Sequence, residues 1–296
     1  MTDIVQLTLL LIGVVVLTVR VLAELGGGPL SGLAVLLDQL DAELLVLIPD
    51  GSADDLQMWA GWIVIGVCAN TATQDLVQRM FSAKSSRTAE RATIAAGVLY
   101  IVFGMFPVLL GLAGSLLLDD AISVGVIPAL AEQLFSPTLS VIFALTLTAA
   151  VTSSVDSGLL APAAVFARNI AGPVLRERVS LITLTRLSVV GIAAISAGMA
   201  MSGTRAFELI QSTYSLTLPS FIVLAAAVYH KNTRELPGIV TLGVGLGLWC
   251  YEIVGNIVTS DGEPELLSPG FPVILFGSCF LVYWATHWLV TRIEQE

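Results

Sequence analysis

The chain has 296 residues, 56% of them hydrophobic and 12% charged, with a formal net charge of −10; soluble domains run at about 45–50% and 25%. That balance excludes a soluble globular protein, and the acidic surplus gives no ground for a nucleic-acid partner. Cys68, Cys250 and Cys279 lie inside apolar runs without pairing or ligand spacing, which argues against a disulfide framework and a zinc site. Apolar windows of roughly 20 residues, the length that crosses about 30 Å of hydrocarbon, fall at 4–24, 56–73, 92–117, 139–167, 180–201, 207–229, 238–258 and 270–291. Alternating ten-residue segments, the mark of a membrane barrel, are absent. The predicted class is therefore all-α: a polytopic membrane helix bundle of about eight spans, forming a single transmembrane domain over residues 1–296.

The first span opens on Met1-Thr2-Asp3 with no basic flank, and Arg20 stands near its far end. There is no basic n-region or small-residue cleavage site to read as a signal peptide. The expectation is a chain truncated at its N-terminus. The second span is interrupted by Gly66, Asn70, Thr71, Thr73, Gln74 and Asp75. Either it is a broken helix lining a midplane solute site, or the helix simply leaves the membrane there. Gly104 and Pro107 are expected to kink the third span, and Pro219 the sixth, which opens on Gln211, Ser212, Thr213, Tyr214 and Ser215.

The fourth span carries the densest polar cluster, Thr146, Thr148, Thr152, Ser153, Ser154, Asp156 and Ser157. Hydroxyl oxygens on one turn, joined by a freed backbone carbonyl, suit a dehydrated hard cation such as sodium. The alternative is helix packing, with each hydroxyl bonded to its own backbone. Asp156 and Glu252 are the acids nearest mid-membrane depth, and each needs a cation, a proton or a donor. His230 and His287 are read as interfacial anchors, with a proton relay as the other reading.

Eleven of the 13 basic residues follow the second, fourth, sixth and eighth spans: Arg79, Lys84, Arg87, Arg91, Arg168, Arg176, Arg178, Arg186, Lys231, Arg234 and Arg292. The positive-inside rule then places both termini in the cytoplasm of a cell (inner) membrane. The opposite loops are acidic, which either concentrates cations at an outer mouth or is an ordinary solvated surface.

Three stretches resemble the sodium:solute symporter family: Thr2-Asp3-Ile4-Val5-Gln6, Gln74-Asp75-Leu76-Val77-Gln78-Arg79, and Ala149-Ala150-Val151-Thr152-Ser153-Ser154-Val155-Asp156-Ser157. The loop Ala83-Lys84-Ser85 with its basic continuation is similar to that family too. The resemblance covers essentially the whole chain. It implies the second inverted repeat of a five-plus-five fold with one preceding and two following helices, the family's first helices being absent.

The resemblance also implies roles. Ser153, Ser154 and the Ala150 carbonyl stand where the family binds sodium, and Asp3, with Asp156, stands on the sodium path. Asn70, Thr71, Tyr100 and Gln211 line the solute cavity. The implied activity is sodium-coupled symport of a small organic solute, an amino acid such as proline first. Sodium serves as coupling ion and there is no other cofactor; the lipid bilayer and a separately encoded upstream fragment are the further partners. A non-transporting membrane sensor or interaction module on the same fold is the alternative. An enzyme is not expected, since no HExxH occurs and Asp156 has no second aspartate at matching depth.

Overall fold

The computed structural model describes residues 2–49, 51–118, 125–175, 178–201, 206–230, 232–259 and 266–293, with all of their side chains except those of Thr2, Asp3, Glu43 and Asp75. Every regular element among the described residues is helical. Helix α1, Thr2–Gly26, ends in a glycine run where Gly27 has φ 74°, a backbone that favours glycine. Helix α2, Pro29–Gln39, starts with proline in its first turn and folds back on α1. A Cβ on Gly32 would run into the Leu22 carbonyl, so the close crossing of α1 and α2 requires glycine there.

After a 3-10 turn at Ala42–Leu45, helix α3, Ala53–Val64, is started by a capping box: the Ser52 hydroxyl accepts the Asp55 N–H at 3.2 Å, and the Asp55 carboxylate accepts the Ser52 N–H at 3.0 Å. A π turn, Ile65–Ala69, and a 3-10 turn, Asn70–Ala72, follow before helix α4, Gln74–Phe81. Helix α5, Ser86–Leu117, is capped by Ser85 and contains Pro107; α6 spans Val126–Leu134. Helix α7, Pro137–Phe166, runs into a π turn, Ala167–Ala171, and a last short turn α8, Gly172–Val174. Then come α9, Leu181–Ala200, α10, Ala206–Tyr229, α11, Glu235–Thr259, and α12, Phe271–Ile293.

Among the described residues, seven helical segments are long and apolar enough to cross a membrane: α1, α5, α7 with its extension to Val174, α9, α10, α11 and α12. The eighth expected span, 56–73, is not one helix. The α-helical part of that window ends at Val64, and a π turn and a 3-10 turn carry the helical backbone on to Ala72.

The chain divides into two compact units, Met1–Val46 with Ala83–Leu160, and Leu47–Ser82 with Ala161–Glu296. The first is centred on Leu17 and Val21 of α1, Leu36 of α2, Leu110 of α5 and Leu130 of α6, all essentially inaccessible. In the second, α12 packs on α10 and α11 through Leu275, Cys279 and Tyr283, and α10 meets Ile65 and Ala69 through Leu218. The buried stripe of α10, Gln211, Ser215, Leu218, Ile222 and Ala226, has the three-and-four spacing of one helix face.

Candidate functional site: a broken helix on α10 and the hydroxyl cluster of α7

The break in the second unit is built by side chains that compete for backbone carbonyls. Asn70 Nδ2 donates to the Gly66 carbonyl at 3.3 Å. The Thr71 hydroxyl lies 2.8 Å from the Val67 carbonyl and 2.9 Å from that of Cys68, and Thr73 Oγ1 donates to Asn70 at 2.9 Å. Such local bonds offer the chain an alternative to the helical ladder. The Thr73 N–H, which an α-helix would aim at Ala69, goes to Asn70 at 3.5 Å instead. The α-helical ladder is interrupted after Val64 and resumes at Gln74.

Helix α10 packs on both turns of the break. Ile65, Ala69 and Leu218 form its apolar contact, with Cys68 and Tyr214 at the edge. The Thr217 hydroxyl reaches the Ala69 carbonyl at 3.2 Å and its own Tyr214 carbonyl at 2.7 Å. On the same helix Gln211, Ser212 and Ser215 are buried. The solute candidates Asn70 and Thr71, both exposed, thus sit on a segment that packs against the helix carrying Gln211. Tyr100 lies on α5 in the other unit and is 80% exposed. Pro219, inside α10, supplies no N–H to the Ser215 carbonyl.

The α7 cluster belongs to the first unit up to Leu160. A freed backbone carbonyl was expected here, and the structure corrects that: α7 is continuous α-helix through Ala150–Ser157. Its hydroxyls turn onto the preceding turn instead. Thr146 donates to Ile142, Thr148 to Ala144 and Thr152 to Thr148, each at 2.8 Å, and Ser154 donates to Ala150 at 3.2 Å. Ala150 and Ser153 are half-buried, while Ser154 and Asp156 are exposed. A serine that donates to its own helix keeps its oxygen lone pairs for another partner, so these bonds leave Ser154 Oγ able to coordinate a cation. The Asp3 assignment rests on a side chain outside the described residues; its backbone lies in α1.

The sequence reading missed two carboxylate contacts near the α10–α12 end. Glu252 Oε1 accepts the Ser268 N–H at 3.0 Å and Asn256 Nδ2 at 3.4 Å, which answers that acid's need for donors, and Glu208 Oε2 accepts the Leu266 N–H at 3.3 Å. It also missed Trp249, whose Nε1 donates to the Ser212 carbonyl at 2.8 Å, and Thr217. The available clue for Thr217 was a hydroxyl two residues ahead of a helix-interior proline. His287 is buried, and its ring meets His230 edge-on at 4.8 Å between centroids; next to it Trp288 is exposed, with Arg292 over its ring at 4.3 Å. Among the described residues, no group of three or more His, Cys, Asp or Glu is placed to hold a metal ion.

Compared with known protein families, residues 1–237 match the model of the sodium:solute symporter family. That match takes in the broken segment, α7 and α10. No curated protein matches the chain.

Proposed function

Because the chain belongs to the sodium:solute symporter family, we propose that its work within sodium-coupled solute symport is to carry a small amino acid, proline first, on the broken segment and α10. The observation that carries this reading is the family match over residues 1–237, which includes every residue given a role below. Sodium is held by the hydroxyls of Ser153 and Ser154 and the Ala150 carbonyl, with Asp3 and Asp156 along its path. On the second unit the solute meets Asn70, Thr71 and Gln211; Tyr100 is a separate candidate on α5 of the first unit. Support for the solute face comes from the packing of the broken segment on α10, where polar side chains and bent backbone share one wall.

Coupling follows from differential affinity. Sodium on α7 stabilises the solute-accepting arrangement by the difference in its affinity for the two arrangements, and by linkage the solute raises sodium affinity by the same factor. No chemical step is catalysed in this reading, and sodium is the only ion required. The chain lies in the cell (inner) membrane with both termini cytoplasmic. Hard cations take roughly six or more oxygens, and α7 contributes three. The remaining oxygens come from outside α7, and a separately encoded upstream fragment is one source of them in this reading.

The test is uptake of labelled proline into proteoliposomes under an inward sodium gradient, by the chain alone and by the chain reconstituted with an upstream family segment. The expected result is no uptake alone and sodium-driven uptake together, with Ser153→Ala and Ser154→Ala raising the sodium concentration for half-maximal rate. Uptake indifferent to sodium overturns the coupling. Strong sodium-driven uptake by the chain alone overturns the fragment.

A further inference from the structure

One hydroxyl proton cannot serve two acceptors fully, and Thr217 Oγ1 has two: Tyr214 on its own helix at 2.7 Å and Ala69 on the broken segment at 3.2 Å. An O–H···O bond is best near 2.7–2.8 Å, so the proton is committed mainly to Tyr214 while Ala69 stands just beyond full bonding distance. Turning the hydroxyl from one carbonyl to the other exchanges two similar bonds. The Thr217 hydroxyl therefore keeps a partner whether the broken segment is held or released.

The surroundings confine that exchange to one place. Beside Thr217, the contact between α10 and the break includes an apolar patch, Ile65 and Ala69 on Leu218 with Cys68 at its edge. Such packing is non-directional and tolerates sliding. Helix α10 itself is fixed on its other side: Trp249 of α11 holds the Ser212 carbonyl at 2.8 Å, and Gly245 of α11 admits Pro219 so closely that a Cβ there would lie 2.8 Å from the proline Cβ. Movement at this contact accordingly falls to the broken segment, and the Thr217 hydroxyl is a directional tie between them.

We infer that Thr217 is a positioning residue, a hydroxyl latch that sets the register of the broken segment, with Asn70 and Thr71, against the solute wall of α10. Its consequence for transport rests on the symport reading above; the latch itself does not.

Cys68, half-buried at the edge of the contact, reports on it without any added label site. The experiment measures alkylation of Cys68 and of buried Cys279 by a small membrane-permeant maleimide in the membrane-inserted chain, quantified peptide by peptide by mass spectrometry. Thr217→Val, of nearly the same shape, and Thr217→Ala both remove the hydroxyl; Thr217→Ser keeps it. Expected is an increase of about fivefold in the Cys68 rate for Val and Ala, the size that losing one net hydrogen bond has on an opening equilibrium. Ser should stay within about twofold of the parent, with Cys279 unchanged throughout. The inference is overturned by Val and Ala rates equal to the parent, by Ser behaving like Val, or by Cys279 rising with Cys68, which marks general loosening.

In the uptake assay Val should raise the solute KM while leaving the sodium requirement unchanged. If no uptake is seen with any protein while the Cys68 pattern holds, the symport reading fails and the latch stands.

Discussion

At the residue scale, many polar side chains of this apolar chain act as substitutes for backbone partners. Thr8, Thr18, Thr146, Thr148 and Thr152 each return a proton to a carbonyl four residues back, so their hydroxyls cost little inside a helix. Ser52 and Asp55 do the reverse job at the start of α3, closing N–H groups that no helix turn reaches. The backbone N–H of Ser52, with its hydroxyl second, holds the Asp55 carboxyl below the usual carboxylate range. A carboxyl whose folded pKa is depressed contributes stability above its unfolded pKa and loses it as pH falls through the folded value. Backbone amide protection at Asp55 and Leu56 should therefore be constant near neutral pH and fall only below about pH 4, the unfolded aspartate range. In Ser52→Ala, hydrogen exchange at these two amides should be fast at all pH values. Unchanged protection in acid would show that the capping box does not hold this end.

At the element scale, close helix contact in this chain depends on a few glycines, and neighbours of the same type are indifferent. Gly245 of α11 faces Pro219 and lies, through a built Cβ, 3.1 Å from Cys279 Sγ, whereas Gly243 and Gly247 face open space. Gly245→Ala should destabilise the α10–α11–α12 packing by about 1–3 kcal/mol through overpacking. Gly243→Ala should be neutral or slightly stabilising through helix propensity. Thermal unfolding in detergent decides it, and equal melting temperatures for the two variants would refute the close approach. Trp249→Phe keeps the ring and deletes the donor to Ser212, for an expected loss of about 1 kcal/mol, read in the same assay.

The apolar windows made six of the seven long helices legible nearly to their ends, because burial in lipid leaves a composition signal that needs no partner. The fourth was legible too, and its seven polar positions left two readings, a freed carbonyl or hydroxyls bonded along their own helix; the structure has those hydroxyls bonding i−4 carbonyls along a continuous helix.

At the scale of the whole molecule, the distribution of basic residues makes a topological prediction. A cysteine at Ser86, beside the basic stretch after α4, should react with an impermeant maleimide only from the cytoplasmic side, and one at Gly51, ahead of α3, only from outside. Both positions are exposed, so accessibility within the fold does not limit the reaction. Labelling of Ser86→Cys in intact cells would reverse the orientation.

By itself the sequence determined the membrane class, the helical content, the family and the approximate place of the break, since each is written in local composition, in spacing or in contiguous motifs such as Gln74–Arg79 and Ala149–Ser157. Only the tertiary structure decided that 56–73 is not one regular α-helix, that His287 is buried against His230, that Glu252 is met by the Ser268 N–H, and that Thr217 faces Ala69 from 148 residues away. Those facts depend on which helix faces which. Polar groups in an apolar chain look alike in sequence, and their partners are chosen by packing between elements far apart along it.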